Sequence, residues 1–228
     1  MGRVVAIGGG ESEKMFRHIV DMPGNTGKNL LFVGTASGDR GDYYARIADM
    51  AQSLGCDVRP LFLTTRNYAK VGLDRLMAWA DIIYVCGGDT YKMMQVWREK
   101  GFDKRLIEAH REGRILLTGS SAGGICWFRT GFSDSARQRL KEDSPHGWVD
   151  GLGIYPEAFC PHYASRAEAF DEALGDTGLS GFGLEDDTAF VDLNGERYFV
   201  RCSPEKHVVV YEKTGSGIVK RDADATEL

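Results

Sequence analysis

The chain has 228 residues, of which 43% are hydrophobic, and it carries a formal net charge of −5 at pH 7. This length and apolar share allow a sizeable core, and the negative charge argues against nucleic acid as a partner. No apolar stretch approaches the about 20 residues needed to span a bilayer, so we expect no membrane segment and no signal peptide. The five cysteines lie far apart without a CxxC pair, which predicts a reducing, cytoplasmic location without disulfides or a zinc site.

Short apolar runs alternate with amphipathic stretches through the first 120 residues. The apolar runs show little polar alternation, as expected of strands buried on both faces; they are RVVAIGG, NLLFVGTA, CDVRPLFL, DIIYVCGG and RILLTGS. The stretches between them have the spacing of helices; they are SEKMFRHIVDM, YYARIADMAQSLG, LDRLMAWA, TYKMMQVWREKG and DKRLIEAHREG. Strands that alternate with helices predict an α/β fold with a mostly parallel, doubly wound sheet and helices on both of its faces.

The pattern changes after about residue 130. FSDSARQRLKEDSPHGW is polar and predicts a loop or a weak helix, and RAEAFDEAL predicts a short helix. GFGLEDDTAFVDLNGERYFV and KHVVVYEKTG predict strands with a hairpin turn at Asn194-Gly195, and we expect the polar tail KRDADATEL to be frayed. No internal repeat or linker interrupts the chain, so we expect a single domain over residues 1–228.

The stretch LLTGSSAGGICWF, residues 116–128, breaks abruptly between two apolar runs. Residues 119–123 match GxSxG, a spacing typical of a tight strand-to-helix turn that exposes its central residue, here Ser121. Ser121 would end a central parallel strand, where open α/β sheets bind ligands, and begin a helix, where N–H groups favour a developing negative charge. A glycine-rich connecting turn is the alternative, but the strand before it and the helix after it favour a nucleophilic serine.

A nucleophilic serine needs a base, and the chain has five histidines. His162, in AFCPHYASR, follows an apolar run and precedes a helix, so it is the best candidate, although a structural histidine is the alternative. His146 lies in a polar turn, and the others lie in predicted helices or at the start of a strand: His18, His110 and His207. The base needs an acid to orient it, and GLEDDTAFV offers three acids between two strand-like runs, Glu185, Asp186 and Asp187. A solvated acidic turn is the alternative for these.

Patterns for nucleotide and metal binding fail on inspection. GGGESE, after the first strand, lacks the last glycine of GxGxxG, and GNTGKN lacks the Ser or Thr that follows the lysine of a P-loop. No spacing of metal ligands stands out. We therefore expect neither a cofactor nor a metal.

Four motifs in order carry a family resemblance: CGGDTYKMM after a strand, GSSAGGICWF at the turn, CPHY before a short helix, and GLEDDTAFV. The chain resembles the peptidase E (aspartyl dipeptidase) and cyanophycinase family of serine peptidases, roughly from the first strand to Val191. The turn motif alone is not specific, but the ordered set is. The resemblance implies a three-layer α/β sandwich of the class I glutaminase, flavodoxin-like type, with a Ser–His–acid triad and no metal.

The resemblance assigns residues position by position. Ser121 falls on the nucleophile of the family and His162 on its base. The acid follows a Gly-hydrophobe-x pattern, which falls on Asp186, with Glu185 as the runner-up because related sequences have an acid at either place. The order Ser, His, acid differs from the Ser, acid, His order of α/β-hydrolases. Cys126, on the helix beyond the turn, is expected to face the core.

The resemblance also implies an oxyanion hole and substrate contacts. The N–H groups of Gly88 and Ala122 fall on the oxyanion hole. Aspartyl dipeptidases hold the acidic side chain of the substrate with basic residues after the histidine; here only Arg166 stands there, before an acidic helix. One guanidinium can hold one carboxylate bidentately, so Arg166 is expected to select an acidic residue. Asp134 is a candidate to receive the free α-amine of a peptide, and a solvated surface charge is the alternative for both.

Three functions fit these residues. The first is a serine exopeptidase that hydrolyses short peptides, with Asp-Xaa dipeptides among its substrates. The second is an amidase or esterase that acts on a small metabolite, and the third is a non-catalytic binding domain of the same fold. The expected partner is a small peptide substrate, and the expected assembly is a monomer or a homodimer.

Overall fold

The computed structural model describes residues 2–136, 146–215 and 217–228. The strands of these residues are β1 (Arg3–Ile7), β2 (Asn29–Val33), β3 (Asp57–Leu61), β4 (Ile82–Val85), β5 (Leu116–Ser120), β6 (Phe128–Ser133), β7 (Gly147–Asp150), β8 (Tyr155–Cys160), β9 (Gly181–Leu184), β10 (Thr188–Leu193), β11 (Glu196–Arg201), β12 (Val208–Thr214), β13 (Gly217–Asp222) and β14 (Ala225–Glu227). Their helices are α1 (Glu13–Val20), α2 (Gly41–Ser53), α3 (Lys70–Trp79), α4 (Thr90–Lys100), α5 (Phe102–Glu112), α6 (Ala122–Ile125) and α7 (Ala167–Gly175).

The larger sheet has the strand order β14-β11-β10-β1-β5-β4-β2-β3. Its five strands from the first half of the chain, β1 to β5, run parallel to one another. The apolar runs of β1, β4 and β5 are buried along their whole length. The α/β prediction is confirmed, and β1 and β5 lie side by side at the centre of the sheet.

A second sheet of six strands, β13-β12-β9-β8-β6-β7, accompanies the first. The helix expected over AGGICWF ends at Ile125, and Phe128 already begins β6. Packing of aromatic rings explains the early end of the helix. The Phe128 ring stacks on Phe159 of the same sheet, with ring centres 4.6 Å apart, and packs edge-on against Phe190 of the larger sheet, with ring centres 5.5 Å apart. Long-range burial of this ring outweighs the local helical spacing.

The hairpin at Asn194-Gly195 is confirmed, because both residues have positive φ angles of 59° and 100°, as tight hairpin turns require. The polar tail is not frayed as expected. It forms β13, antiparallel to β12, and β14, parallel to β11. Backbone pairing and the 2.6 Å ion pair between Arg221 and Glu212 hold the tail, although its side chains are mostly exposed. Of the polar segment expected to be a loop or a weak helix, residues 137–145 lie outside the described residues.

Candidate active site

Ser121 lies between β5 and α6, at the carboxyl end of a central parallel strand. Its backbone has φ 56° and ψ −109°, a conformation that a non-glycine residue rarely adopts. The surrounding backbone holds this strained residue in place, because Ser121 N–H donates to Ile7 at 3.1 Å while its carbonyl accepts from Gly124 and Ile125 at 2.9 Å. The turn therefore has the geometry that the GxSxG spacing predicts.

The glycines of the turn are required by close packing. A Cβ on Gly119 would lie 2.6 Å from the Gly123 carbonyl oxygen, and a Cβ on Gly123 would overlap the Val85 carbonyl of the neighbouring strand. Small residues at these two positions let α6 approach the ends of β4 and β5. This approach brings the start of α6 to the edge of the sheet where Ser121 lies.

The structure brings Ser121, His162 and Asp186 together. His162 follows β8 in the left-handed conformation, with φ 53°, and its Nε2 lies 2.9 Å from Ser121 Oγ. The other ring nitrogen, Nδ1, lies 2.6 Å from Asp186 Oδ1. Both distances are within hydrogen-bonding range, so the three side chains form a continuous line from carboxylate to hydroxyl.

Among the three neighbouring acids, the two beside Asp186 point elsewhere. Glu185 Oε2 accepts from the backbone N–H of His207 at 3.1 Å, so its side chain is bound to the start of β12. Asp187 has a positive φ of 62°, and its carboxylate lies against Gly10, where an added Cβ would be 2.7 Å from Oδ1. The turn between β9 and β10 thus directs only Asp186 towards His162.

The glycine loop after β1, residues 8–10, supports this pair and was missed by the sequence analysis. The Gly8 carbonyl accepts from His162 N–H at 2.9 Å, and any Cβ on Gly9 would overlap both the His162 ring and the Asp186 carboxylate. The loop lies beside Ser121 because β1 pairs with β5. The sequence signal for this loop is a run of three glycines at the end of a strand adjacent to the GxSxG strand. From the sequence, the run was considered only as a nucleotide-binding motif.

The two expected oxyanion donors lie beside Ser121. Ala122 follows it directly, and Gly88 lines the same cleft. Gly88 has a φ of 139°, and a Cβ there would overlap the Ala36 carbonyl, so only glycine fits. Within the described residues, neither the Gly88 N–H nor the Ala122 N–H donates to another protein group. Two amide donors at this cleft, next to the serine in sequence or sharing its cleft, therefore have no protein acceptor among the described residues.

The cleft in front of Ser121 and His162 has a volume of about 360 Å³. Its other side chains come from the chain after β1 and from α2: Glu11, Tyr43 and Arg46. Arg46 forms an ion pair with Glu11, and its guanidinium carbon lies 4.8 Å from the centre of the Tyr43 ring. The Glu11 side chain is 10% exposed and that of Arg46 53% exposed, so the guanidinium is held at the cleft while it still faces solvent.

Arg166 does not turn towards Ser121, contrary to the expectation that it selects an acidic residue of the substrate. Its side chain is only 8% exposed; Nη1 donates to the Phe132 carbonyl at 3.0 Å, and Nη2 lies 3.7 Å from Asp134 Oδ1. The exposed Asp134 lines an adjoining cleft of about 410 Å³, which shares Tyr43, Gly87 and Gly88 with the first. Burial against the end of β6 and the residue that follows it therefore holds Arg166 away from Ser121, and among the described arginines it is Arg46 that lines the serine cleft.

Other expected or excluded groups are placed as follows. Cys126 is buried, as expected, with its Sγ 3.2 Å from the Gly123 carbonyl, and burial raises the pKa of its thiol well above the usual value, so it is no competing nucleophile. His146 stacks on Phe132 with ring centres 5.3 Å apart. In the described parts of the chain, no cluster of His, Cys, Asp and Glu is suited to hold a metal. None of the helices there combines the length and the hydrophobicity that a membrane-spanning segment needs.

Comparison with known proteins identifies the family. The model of peptidase family S51 matches residues 4–199. An uncharacterized peptidase of Bacillus subtilis (strain 168), YgaJ, is 30% identical over 208 residues, which cover 87% of this chain and 86% of YgaJ. The uncharacterized peptidase Lmo0363 of Listeria monocytogenes is 31% identical over 145 residues, which cover 60% of this chain and 66% of Lmo0363.

Solved structures share the fold. A crystal structure of a peptidase from an acI-B1 Actinobacterium superposes with a TM-score of 0.73 at 20% identity, covering 100% of this chain and 96% of that one. A putative peptidase E from Listeria monocytogenes EGD-e superposes with a TM-score of 0.67 at 21% identity, covering 89% and 100%. Because the family model spans nearly the whole length and a relative is 30% identical across 87% of it, this chain belongs to peptidase family S51, the peptidase E family of serine peptidases.

Proposed function

We propose that this serine peptidase is an exopeptidase that cleaves short peptides, with Ser121 as nucleophile, His162 as base and Asp186 as the acid that orients the base. The observation that carries the proposal is the hydrogen-bonded line from Asp186 through His162 to Ser121, with separations of 2.6 and 2.9 Å. The strained serine at the end of a central strand adds support, because such a turn directs a nucleophile outward from the sheet.

The proposed reaction passes through an acyl-enzyme. Ser121 Oγ attacks the scissile carbonyl carbon while His162 Nε2 takes the hydroxyl proton, and the C–N bond then breaks as His162 returns that proton to the leaving amine. A water molecule, deprotonated by His162, hydrolyses the acyl-serine and restores the hydroxyl. Asp186 accepts the Nδ1–H bond, selects the tautomer and stabilises the imidazolium that forms. The Gly88 and Ala122 N–H groups hold the oxyanion, a contribution of about 3 kcal/mol for each donor.

Asp134 is proposed to receive the free α-amine of the peptide. It is 58% exposed and lines the cleft that adjoins Gly88, so an amine there would lie next to the proposed oxyanion site. Its two neighbours are buried and hydrogen-bonded: Ser133 lies 2.9 Å from Ser135 and 3.3 Å from Thr90 of α4. These contacts and Arg166, 3.7 Å away, hold the acid in position. Arg166 therefore acts through Asp134 and does not touch the peptide.

Arg46 is proposed to hold the carboxylate of an acidic residue, so that Asp-Xaa dipeptides are preferred. It lines the cleft of Ser121, and Glu11 and the Tyr43 ring fix its direction. A fully buried ion pair with the substrate would favour acidic over neutral dipeptides about 100-fold in kcat/KM. Because Arg46 is half exposed and already paired with Glu11, we expect a preference of about 10-fold in kcat/KM for acidic dipeptides, which corresponds to about 1.4 kcal/mol.

A dipeptide panel tests this specificity. We expect Arg46→Met to lower kcat/KM for Asp-Xaa dipeptides about 10-fold and to leave Leu-Xaa dipeptides nearly unchanged, because only the acidic substrates lose an ion pair. Acetylation of the substrate N-terminus should lower kcat/KM for both series, because the amine can no longer pair with Asp134. The measurement is kcat/KM for free and acetylated dipeptides and for simple esters of the same acyl groups.

Arg166→Met is the matched control for Arg46→Met. It should lower kcat/KM for acidic and neutral dipeptides by the same factor, because it disturbs the amine site and not the acid site. Loss of the acidic preference in Arg166→Met alone would reassign specificity to Arg166. Rapid hydrolysis of esters, with no hydrolysis of any dipeptide, would replace the exopeptidase with the esterase or amidase alternative.

The acid of the triad is tested by replacing it with the isosteric amide. Asp186→Asn should lower kcat by about 10³- to 10⁴-fold, because an amide no longer stabilises the protonated imidazole and favours the wrong tautomer. Glu185→Gln and Asp187→Asn should lower kcat far less, because neither side chain contacts His162. A large loss in Glu185→Gln together with a small loss in Asp186→Asn would contradict the assignment.

All five cysteines are free thiols, four of them buried, which supports action in the reducing cytoplasm. We propose that residues 1–228 act as one domain without a cofactor, as a monomer or homodimer.

A further inference from the structure

The Tyr43 hydroxyl connects the glycine loop after β4 to the carboxylate of Glu11, which also lines the serine cleft. The Gly87 N–H donates to Tyr43 Oη at 3.1 Å, and the Tyr43 hydroxyl in turn donates to Glu11 Oε1. The same oxygen accepts from the hydroxyl of Tyr84 at 3.2 Å, while the other oxygen of Glu11 pairs with Arg46. Glu11 is therefore held by three donors, and one of them, Tyr43, also binds the loop that contains Gly88.

The loop at Gly87 and Gly88 needs such support. Two consecutive glycines have no side chains to restrict their torsions, and Gly88 has a φ of 139°. The structure restrains the loop at both ends: the Gly87 N–H binds Tyr43, and the Asp89 N–H binds the Ala36 carbonyl at 2.8 Å. The Gly88 N–H lies between these two anchored amides, so its direction follows from them.

The proton of Tyr43 is suited to this arrangement. Burial raises the pKa of the phenol well above its ordinary value, and the negative charge of Glu11 raises it further. Tyr43 therefore remains protonated at neutral pH. The Tyr43 hydroxyl donates its proton to Glu11 in a hydrogen bond, so a lone pair of the oxygen can accept the Gly87 N–H.

We propose that Tyr43 is a positioning residue for the oxyanion hole, which sets the direction of the Gly88 N–H by holding the Gly87 N–H from a hydroxyl oriented by Glu11. The inference rests on the proposed function, because it assumes that Gly88 stabilises an oxyanion formed on the substrate of Ser121. It assigns catalytic importance to a side chain of α2 that neither donates to nor accepts from Ser121, His162 or Asp186.

The experiment compares Tyr43→Phe with Tyr84→Phe. Each removes one hydroxyl bound to the same Glu11 oxygen, but only the Tyr43 hydroxyl also binds Gly87. Loss of a complete oxyanion donor costs about 10²- to 10³-fold in kcat, and Tyr43→Phe only loosens the donor. We therefore expect kcat to fall about 10- to 100-fold with KM within about 3-fold, whereas Tyr84→Phe stays within about 2-fold of the wild type.

A peptide aldehyde gives a second measurement. It adds to Ser121 Oγ and places an oxyanion where the transition state has one, so its inhibition constant should rise in Tyr43→Phe by the factor lost from kcat/KM. The dissociation constant of an uncleaved dipeptide amide on Ser121→Ala/Tyr43→Phe should match that on Ser121→Ala. If Tyr43 had only a structural role, its replacement would weaken the binding of both the aldehyde and the dipeptide amide, or of neither.

The outcomes separate this inference from the proposed function. Equal losses in Tyr43→Phe and Tyr84→Phe would show that Glu11, and not the Gly87 contact, matters, and would overturn the inference. A wild-type kcat in Tyr43→Phe would also overturn the inference. If Ser121→Ala were inactive in the same experiment, the proposed function would still stand. Substantial turnover by Ser121→Ala would instead refute the proposed function itself. Circular dichroism and thermal melting confirm that each compared variant is folded.

Discussion

Ser121→Ala should lower kcat by about 10⁴- to 10⁶-fold while leaving the fold unchanged. The loss is this large because the hydroxyl is the atom that bonds to the substrate, and the remaining groups supply only binding and oxyanion stabilisation. The fold should persist because Ser121 contributes its backbone, not its side chain, to the bonds with Ile7, Gly124 and Ile125. Initial rates on dipeptides, together with thermal melting, measure both parts of the prediction.

Ser120→Ala is the matched control, one residue away. The Ser120 hydroxyl donates to the Gly10 carbonyl at 3.0 Å and has no bond to His162, so its loss should change kcat only a few-fold. A fluorophosphonate, which loses fluoride as Ser121 Oγ bonds to phosphorus, should label the wild type and Ser120→Ala but not Ser121→Ala. Labelling of Ser121→Ala at the wild-type rate would show that another nucleophile does the chemistry.

His162→Ala should cause a loss of similar size, about 10⁴- to 10⁶-fold in kcat, because without a base the serine hydroxyl keeps its proton at neutral pH. The imidazole ring lies 2.9 Å from Ser121 Oγ and 2.6 Å from Asp186, so its removal opens a space between them. Added imidazole should enter that space and restore part of the lost rate. Steady-state kinetics with increasing imidazole measure this rescue.

His146→Ala is the comparison for His162→Ala. The His146 ring stacks on Phe132, so its replacement should lower the melting temperature and leave kcat nearly unchanged. Equal and mild losses of kcat in the two variants would remove His162 from the proposed triad. The double variant Ser121→Ala/His162→Ala should be no slower than Ser121→Ala alone, because the two residues act as a unit.

Local sequence was sufficient to predict the parts of the site that lie at strand ends. The apolar run before Ser121 predicts a buried strand, and the small residues after it predict a sharp turn into a helix. An apolar run likewise ends just before His162. Each residue could therefore be placed at a strand end from local sequence alone, but β5 and β8 belong to different sheets, so only the packing of the two sheets brings the residues together.

The choice among adjacent acids depended on tertiary structure. Residue chemistry alone does not distinguish Glu185, Asp186 and Asp187, and the family resemblance favoured Asp186 while leaving Glu185 as the runner-up. The positive φ of Asp187 and the bond from His207 to Glu185 turn the neighbours away. Such torsions result from the pairing of β9 with β12 and of β10 with β1, which join segments far apart in the chain.

The cation of the cleft was also beyond local reasoning. Arg166 was expected there because it follows His162 closely, yet its guanidinium is bound to the Phe132 carbonyl. Arg46 reaches the cleft from α2, far before His162 in the sequence, and only the packing of that helix against the sheet brings it beside Glu11. Proximity in sequence places a residue near a site, but the direction of a long side chain follows from the partners that bury it.

By itself, the sequence determined the parallel α/β framework, the sharp turn at Ser121 and the loop position of His162, because hydrophobic period and turn residues act over a few positions. Only the tertiary structure decided that Phe128 begins a second sheet, that Asp186 faces His162, and that Glu11, Tyr43 and Arg46 line the cleft. These outcomes depend on which distant surfaces pack together, and burial and hydrogen bonding across the whole molecule then outweigh local preference.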